Sequence, residues 1–384
     1  MAGIYLHIPF CKQACHYCDF HFSTSLKHKA PLLEAMLLEL ELQKDYLEGE
    51  PLGSIYFGGG TPSLLSQAEL EMIFEKIYHL FRVDSDAEIT LEANPDDLDR
   101  AKLNVLQHLP VNRLSIGVQS FFDEDLKSWN RAHNRAEAEA CIKGAQDAGF
   151  SNLTVDLIYG SPTTSMEHWI YNIDQLLQFE IPHLSCYALT VEEKTALAHF
   201  IKTGKAEPPR DEHAARQFEI LMEVMQKNGY DHYEISNFAK PEFYAVHNSS
   251  YWKGAKYLGI GPSAHSFNGT SRQWNVANNA LYIKAIQALS SQEIPATPLF
   301  EKETLTLEQQ YNEFVMTGLR TIWGCPKASL DHFGKAFKAH FLEKAGLYLE
   351  SGQMLIVSNA YVLSAKGKLF ADQIAADLFV LESE

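Results

Sequence analysis

The chain has 384 residues, 46% hydrophobic and 21% charged, which suffices for two or three domains around at least one sizeable core. A formal net charge of -17 with no Lys/Arg block argues against a nucleic-acid backbone as partner. No run approaches the ~20 apolar residues of a membrane span, and the N-terminus lacks the parts of a signal peptide, so a cytoplasmic location is expected, with peripheral membrane contact left open.

In chain order, residues 3–10 read as a short apolar strand that delivers a cysteine loop. A helix is expected over 30–47, with Leu33, Met36, Leu37 and Leu40 on one face. Residues 53–57 form the second strand, stopped by Gly58, Gly59 and Gly60, and a helix follows over 67–81. The third strand, 87–92, breaks at Asn94-Pro95 and leads to a helix over 98–109. Strands at 113–119, 152–159 and 183–189 alternate with helices near 123–129, 135–148 and 166–179. Six βα units roughly 30 residues apart imply parallel strands, because each crossover must return the chain to the same edge. Six are too few to close an eight-stranded barrel, so the fold class expected is α/β with an open, partial (β/α)6 barrel.

From residue 197 the rhythm changes. Helices are expected at 197–204 and 211–228, a single strand at 230–238, a structured loop over 244–275, and helices at 278–290 and 306–321. The tail, 327–384, shows helices and a hairpin near 354–363, as in a small winged-helix-like packing module. The domains expected are therefore 1–195 (barrel), 196–300 (connecting region completing the site) and 301–384 (small C-terminal unit).

Cys11, Cys15 and Cys18 hold three of the six cysteines within eight positions, spaced C-x3-C-x2-C. Three thiolates cannot all pair as disulfides, and the spacing suits a 4Fe-4S cluster with one iron left free of protein. A zinc site with a distant fourth ligand, or three buried thiols, are the alternatives. Cys141, Cys186 and Cys325 are scattered and read as buried hydrophobes, with Cys186 and Cys325 as remote candidates for soft ligands.

Working residues in parallel α/β barrels gather at the C-terminal strand ends. There the chain offers Gly59, Gly60, Thr61 and Pro62, then Glu92, then Gln119, with Arg131 just beyond, and Asp156 on the fifth strand. Each alone has a bland account as a turn or cap residue. In order at successive strand ends, with Tyr5 on the first strand and Tyr17 in the loop, they resemble the S-adenosylmethionine (SAM) site of radical SAM enzymes. That resemblance implies that SAM chelates the free iron and is cleaved by an electron from the cluster. It implies Gly59, Gly60 and Thr61 at the SAM amino group, Glu92 and Gln119 at its ribose and methionyl parts, Arg131 at its carboxylate, and Asp156 at the ribose or adenosyl side.

The run Tyr-x-His-Ile-Pro-Phe-Cys-x3-Cys-x-Tyr-Cys, with GGGTP, EANP, GVQSF and DLIYG, resembles the oxygen-independent coproporphyrinogen III oxidase group over nearly the whole chain. The oxidase branch decarboxylates two propionates of coproporphyrinogen III to give protoporphyrinogen IX, and carries a further cysteine two positions after the third. Phe20 stands there instead. The chain also starts almost at the first strand, without the oxidase's N-terminal extension. His247-Asn248-Ser-Ser-Tyr251-Trp252 matches the HNxxYW motif of the other branch, the HemW haem chaperones. The resemblance implies haem beside cluster and SAM, a haem-receiving respiratory protein, and compatibility with a reduced flavodoxin- or ferredoxin-like electron donor. His247 is then the expected haem ligand, with Tyr251 and Trp252 stacked on the macrocycle and His265 a second axial candidate. On composition alone, the same segment also reads as a packed loop with a hydrogen-bonded histidine.

Overall fold

In the computed structural model, which describes residues 1–381, the first half runs β1 (Ala2–Ile8), α1 (Lys29–Leu42), β2 (Leu52–Gly59), α2 (Gln67–Leu80), β3 (Val83–Ala93), α3 (Arg100–Gln107), β4 (Arg113–Gln119), α4 (Asp123–Ser128), α5 (Arg135–Asp147), β5 (Leu153–Tyr159), α6 (Met166–Gln178) and β6 (His183–Ala188). Each of the six strands pairs in parallel with the next, as the βα rhythm requires. Their near-continuous burial follows from helices on one face and a filled interior on the other. The helices start where local chemistry says they should. Ser66 with Glu69 and Asn134 with Glu137 form capping boxes that satisfy the first free N–H groups of α2 and α5.

The chain continues through α7 (Ala196–Lys202), α8 (Asp211–Lys227), β7 (Asp231–Glu234), β8 (Asn237–Ala239), α9 (Val246–Trp252), β9 (Tyr257–Ile260), β10 (His265–Phe267), β11 (Ser271–Asn275), α10 (Asn279–Ser290) and β12 (Phe300–Thr304). These strands extend the sheet at both ends, to the order β12-β11-β10-β9-β1-β2-β3-β4-β5-β6-β8-β7. The single strand expected over 230–238 is a hairpin, turning at Ile235-Ser236. The loop expected over 244–275 is a short helix and three strands, the first parallel to β1. Three- to five-residue strands separated by Gly261 and Gly269 are too short to show a period-two pattern.

Residues 307–378 gather round a second core. It joins α11 (Leu307–Leu319), β13 (Cys325–Pro326), α12 (Lys327–Leu330), α13 (Lys335–Glu350), β14 (Met354–Val357), β15 (Ala360–Leu363), α14 (Ala365–Lys368) and α15 (Ala371–Asp377). No described helix is long and apolar enough to cross a membrane.

One buried carboxylate ties the added strands to the barrel. Glu39 on α1 is wholly buried and accepts hydrogen bonds from the Gly261 N–H (2.8 Å), the Asn275 amide (2.7 Å) and the Tyr282 hydroxyl (2.5 Å). Burial pushes its pKa up from 4.5 to about 7, against those three donors. A raised native pKa means that the native state holds the proton more tightly than the unfolded chain. The stability this allows is complete below pH 4.5 and is lost as pH rises through about 7. Urea denaturation of Glu39→Gln should therefore show a smaller loss of stability between pH 5 and pH 8 than the parent, by about 2–3 kcal/mol. Parallel pH profiles would contradict this assignment.

Candidate functional site

The cysteine loop leaves β1 and is laced to its neighbours along its whole length. Its root is a bridge between Phe10 and Ser23, closed by Cys11 N–H to Ser23 O (3.1 Å) and Ser23 N–H to Pro9 O (2.9 Å). Its middle is held by the loop after α4: the Asn130 amide donates to Ala14 O (2.8 Å), and the Gln13 amide donates to Asn130 Oδ1 (2.6 Å). Its far end is held by His16 N–H to Trp129 O (3.0 Å). Lys12 pairs with Asp96 and Asp97 after β3.

The turn after β2 docks onto the root of this loop. Gly60 N–H donates to Ile8 O (2.9 Å) and Thr61 N–H to Phe10 O (2.7 Å). A Cβ at Gly60 would lie 2.6 Å from Ile8 O, and one at Gly59, which has φ +99°, would lie 2.5 Å from the His7 ring. The glycines are thus required by packing against β1. Their N–H groups are used inside the protein, Gly59's by Glu92. What the turn can offer an incoming ammonium group is carbonyl oxygen.

Cys11, Cys15 and Cys18 are half-buried and line one cavity of about 1220 Å³. The same cavity is lined by Tyr17, Gly59, Gly60, Thr61, Glu92, Gln119, Arg131 and Asp156, so the strand ends converge as the sequence order suggested. Tyr5 does not line it. Tyr5 is in the barrel interior, its hydroxyl 3.1 Å from His7 Nδ1. Gln119 ends β4 in the left-handed region at φ 68°, a conformation tolerated where surroundings enforce it. Arg131 spans the floor: one terminal nitrogen donates to Cys15 Sγ (3.3 Å), the other to Asn94 Oδ1 (2.6 Å) and Gly117 O (2.8 Å), and Nε is buried without a partner. Gly117 makes room, since a Cβ there would meet the Gln119 amide at 2.9 Å.

Burial dominates the electrostatics. It raises Glu92 to about 7 despite a 2.7 Å hydrogen bond from the Tyr56 hydroxyl, and Asp156 to about 6 despite Ser185 and Ser115. It raises the Cys11 thiol, and Cys18 to about 11. Arg131 remains fully charged among them. Two buried carboxyl groups thus share the one cation beside them, and a positively charged ligand would favour their ionised forms. Among the described residues, no His, Cys, Asp or Glu trio converges as the shell of a single metal ion. A cubane cluster instead spreads its thiolates over separate irons.

His247 sits in the packed, hydrogen-bonded setting that is the other reading of this segment. Its ring is 2% exposed and both nitrogens are engaged, Nδ1 with Ser54 Oγ (2.8 Å) and Nε2 with the Tyr251 hydroxyl (2.7 Å). It stacks on Tyr56 at 5.0 Å and touches Gly3, at the end of β1 remote from the cysteines. Burial lowers its pKa to about 3, so it is a neutral interior group. Glu88 caps α9 by accepting from the N–H groups of Val246 and His247. Tyr251 serves His247 and packs edge-on to Tyr257. Asn248 lines a separate polar void of about 50 Å³ beneath Glu92 and Asp156, Trp252 is half-buried at the end of α9, and His265 is exposed on β10, stacked with Trp274. None of these five lines the main cavity. Cys186 and Cys325 are buried thiols, as read. Asn94, Gly117 and Tyr56 were missed as site residues, and only their strand-end positions could have marked them.

These residues fit a cluster and SAM: three thiols face one cavity beside a carbonyl-lined turn, buried acids and an orphaned guanidinium nitrogen. The radical SAM superfamily model matches residues 5–176. The heme chaperone HemW of Bacillus subtilis (strain 168) is 34% identical over 379 residues, covering 97% of this chain and 98% of that one. HemW of Escherichia coli (strain K12) is 37% identical over 268 residues, covering 68% and 69%. The structure of coproporphyrinogen III oxidase (HemN) from Escherichia coli superposes with a TM-score of 0.82 at 22% identity, covering 98% of this chain and 90% of that one, a likeness of fold. Fold and site together define a radical SAM protein. Within that superfamily, the chain belongs to the HemW family.

Gly60→Ala should lower stability by about 2 kcal/mol and cut the iron bound after anaerobic reconstitution, read by thermal melts and iron content. Parental values in both would show that the turn does not hold the loop. His247→Leu leaves the Ser54 and Tyr251 hydroxyls unpartnered and should cost about 2–3 kcal/mol of unfolding free energy in urea. Unchanged stability would show that those bonds are not formed in solution.

Proposed function

We propose that this protein is a HemW-like haem chaperone, binding haem together with a 4Fe-4S cluster and SAM, and delivering haem to respiratory-chain proteins. Full-length similarity to heme chaperone HemW relatives supports the reading. The observation that carries the choice of branch is Phe20, which lies at the cavity where the oxidase group has its further cysteine.

In this reading Cys11, Cys15 and Cys18 hold the cluster, and its open iron with SAM supplies one-electron reductive chemistry. The turn at Gly59–Thr61 orients the ammonium end of SAM through carbonyl oxygens. Glu92 and Asp156 accept from ribose hydroxyls, which favours their ionised forms, and Gln119 contacts the methionyl portion. Arg131 stays bonded to Cys15 and Asn94 and directs positive charge at the SAM carboxylate. Tyr17 closes the loop side, edge-on to Trp129. Tyr5 acts from behind, through His7.

The test is anaerobic reconstitution followed by two assays: haem titration by absorbance, and decarboxylation of coproporphyrinogen III. Haem binding without decarboxylation is the expected result. Turnover of the tetrapyrrole would instead establish an oxidase. Cys15→Ala should abolish the cluster's absorption while leaving the far-UV circular dichroism and melting temperature near parental, because the cysteines lie in a loop outside the strand core. Loss of folded protein would contradict that separation of fold from site.

A further inference from the structure

The cavity is larger than the roughly 300–1,000 Å³ that serves a single small ligand. The groups assigned to SAM occupy its inner end, at Glu92, Gln119 and Asp156. Its outer end has a different character. Three aromatic side chains of the cavity remain open to solvent: Phe20 (68% exposed) and Phe370 (45%), and Tyr187 (46%), which stands between them and the acids Glu92 and Asp156. Exposed aromatic faces around one cavity are costly unless a partner covers them.

Charge is distributed unevenly there. Apart from Arg131 beside the cysteines, the cations lining the cavity are Arg320 and Lys368, with Asp372 next to Arg320, whereas the acids Asp19, Glu192, Asp211 and Glu212 line it elsewhere. Both cations come from the second core, Arg320 at the end of α11 and Lys368 on α14. They flank one buried carboxylate, Glu234, which the N–H of Ser236 and the amide of Asn237 already satisfy. Lys368 Nζ donates to His232 O (2.8 Å) and keeps donors to spare. The partner of Arg320 is Asp372, whose side chain is 79% exposed, so the pair is weak and open to exchange. A ligand with two carboxylates therefore finds one corner that accepts its charge and acidic walls elsewhere.

We propose that the outer half of the cavity is the haem seat, with Phe20, Tyr187 and Phe370 against the macrocycle and Arg320 and Lys368 taking its propionates. This rests on the chaperone reading above and adds a place and an orientation. It also gives the C-terminal unit a task, since that unit supplies both cations and one of the three rings.

The test uses the reconstituted full chain, titrated with haemin and with haemin dimethyl ester, which lacks the carboxylates. Lys368→Met and Arg320→Met should each weaken haemin about tenfold, with iron content unchanged. Lys368→Arg should restore most of the loss. Asp372→Asn, which frees Arg320, should tighten haemin binding. The ester should bind the parent at least about tenfold more weakly than haemin and should not distinguish parent from variants. The ester comparison needs no variant, so it decides even where a substitution harms folding. Haemin binding indifferent to these substitutions and to esterification overturns the site alone. Failure of the parent to bind haemin overturns the chaperone reading, and the site with it.

Discussion

Two backbone hydrogen bonds carry the architecture of the site: Gly60 N–H to Ile8 O, and Thr61 N–H to Phe10 O. They clamp the turn after β2 to the point where the cysteine loop leaves β1. The backbones approach more closely at Gly60 than a side chain there would allow, and Gly59 packs on the His7 ring at φ +99°. Once the root is fixed, the loop after α4 can hold the remainder through Asn130 and Trp129, and the thiols face the cavity instead of solvent. The strand core provides the frame, and these contacts decide where the sulfurs point.

The second organising feature is an unbalanced polar interior. Glu92 and Asp156 are held by hydroxyl groups but are uncomfortable as anions, with pKa values raised by burial to about 7 and about 6. Arg131 is the cation next to them and is already shared with Cys15, Asn94 and Gly117. Buried polar groups in such a state cost stability unless a ligand completes them. A sulfonium with an ammonium group and ribose hydroxyls has the charge and the donors that this interior lacks. The neighbouring wall, with Arg320 and Lys368, has the opposite requirement. The haem seat proposed above would thus share one cavity with a chemically different ligand at the acids.

Much of this was legible in the sequence, for identifiable reasons. The six parallel strands show because fully buried strands are written as apolar runs with breaks at Gly and Asn-Pro. The strand-end residues show because they recur in order, each just past a strand. Other parts were not legible. β9, β10 and β11 are three to five residues long and carry no periodic signal. Nothing local marks Glu39 on its helix, because its partners Gly261, Asn275 and Tyr282 lie more than 200 residues away. The setting of His247 is hard to read for the same reason: Ser54, which takes one ring nitrogen, is 193 positions distant. Local motif and residue type suggested a ligand, and long-range packing made it an interior hydrogen-bonding group. The C-terminal unit gave only its secondary structure; that Arg320 and Lys368 reach the cavity depends on how the second core packs.

In the function proposed above, Cys11, Cys15 and Cys18 would hold a 4Fe-4S cluster beside the SAM site. Electron paramagnetic resonance of the reduced, reconstituted protein, recorded with and without SAM, tests it most directly. The expected result is a 4Fe-4S signal that changes shape and g-values when SAM is added, with the change lost in Arg131→Met. A signal that ignores SAM, or a protein that binds no iron–sulfur cluster while its fold is intact, would contradict it.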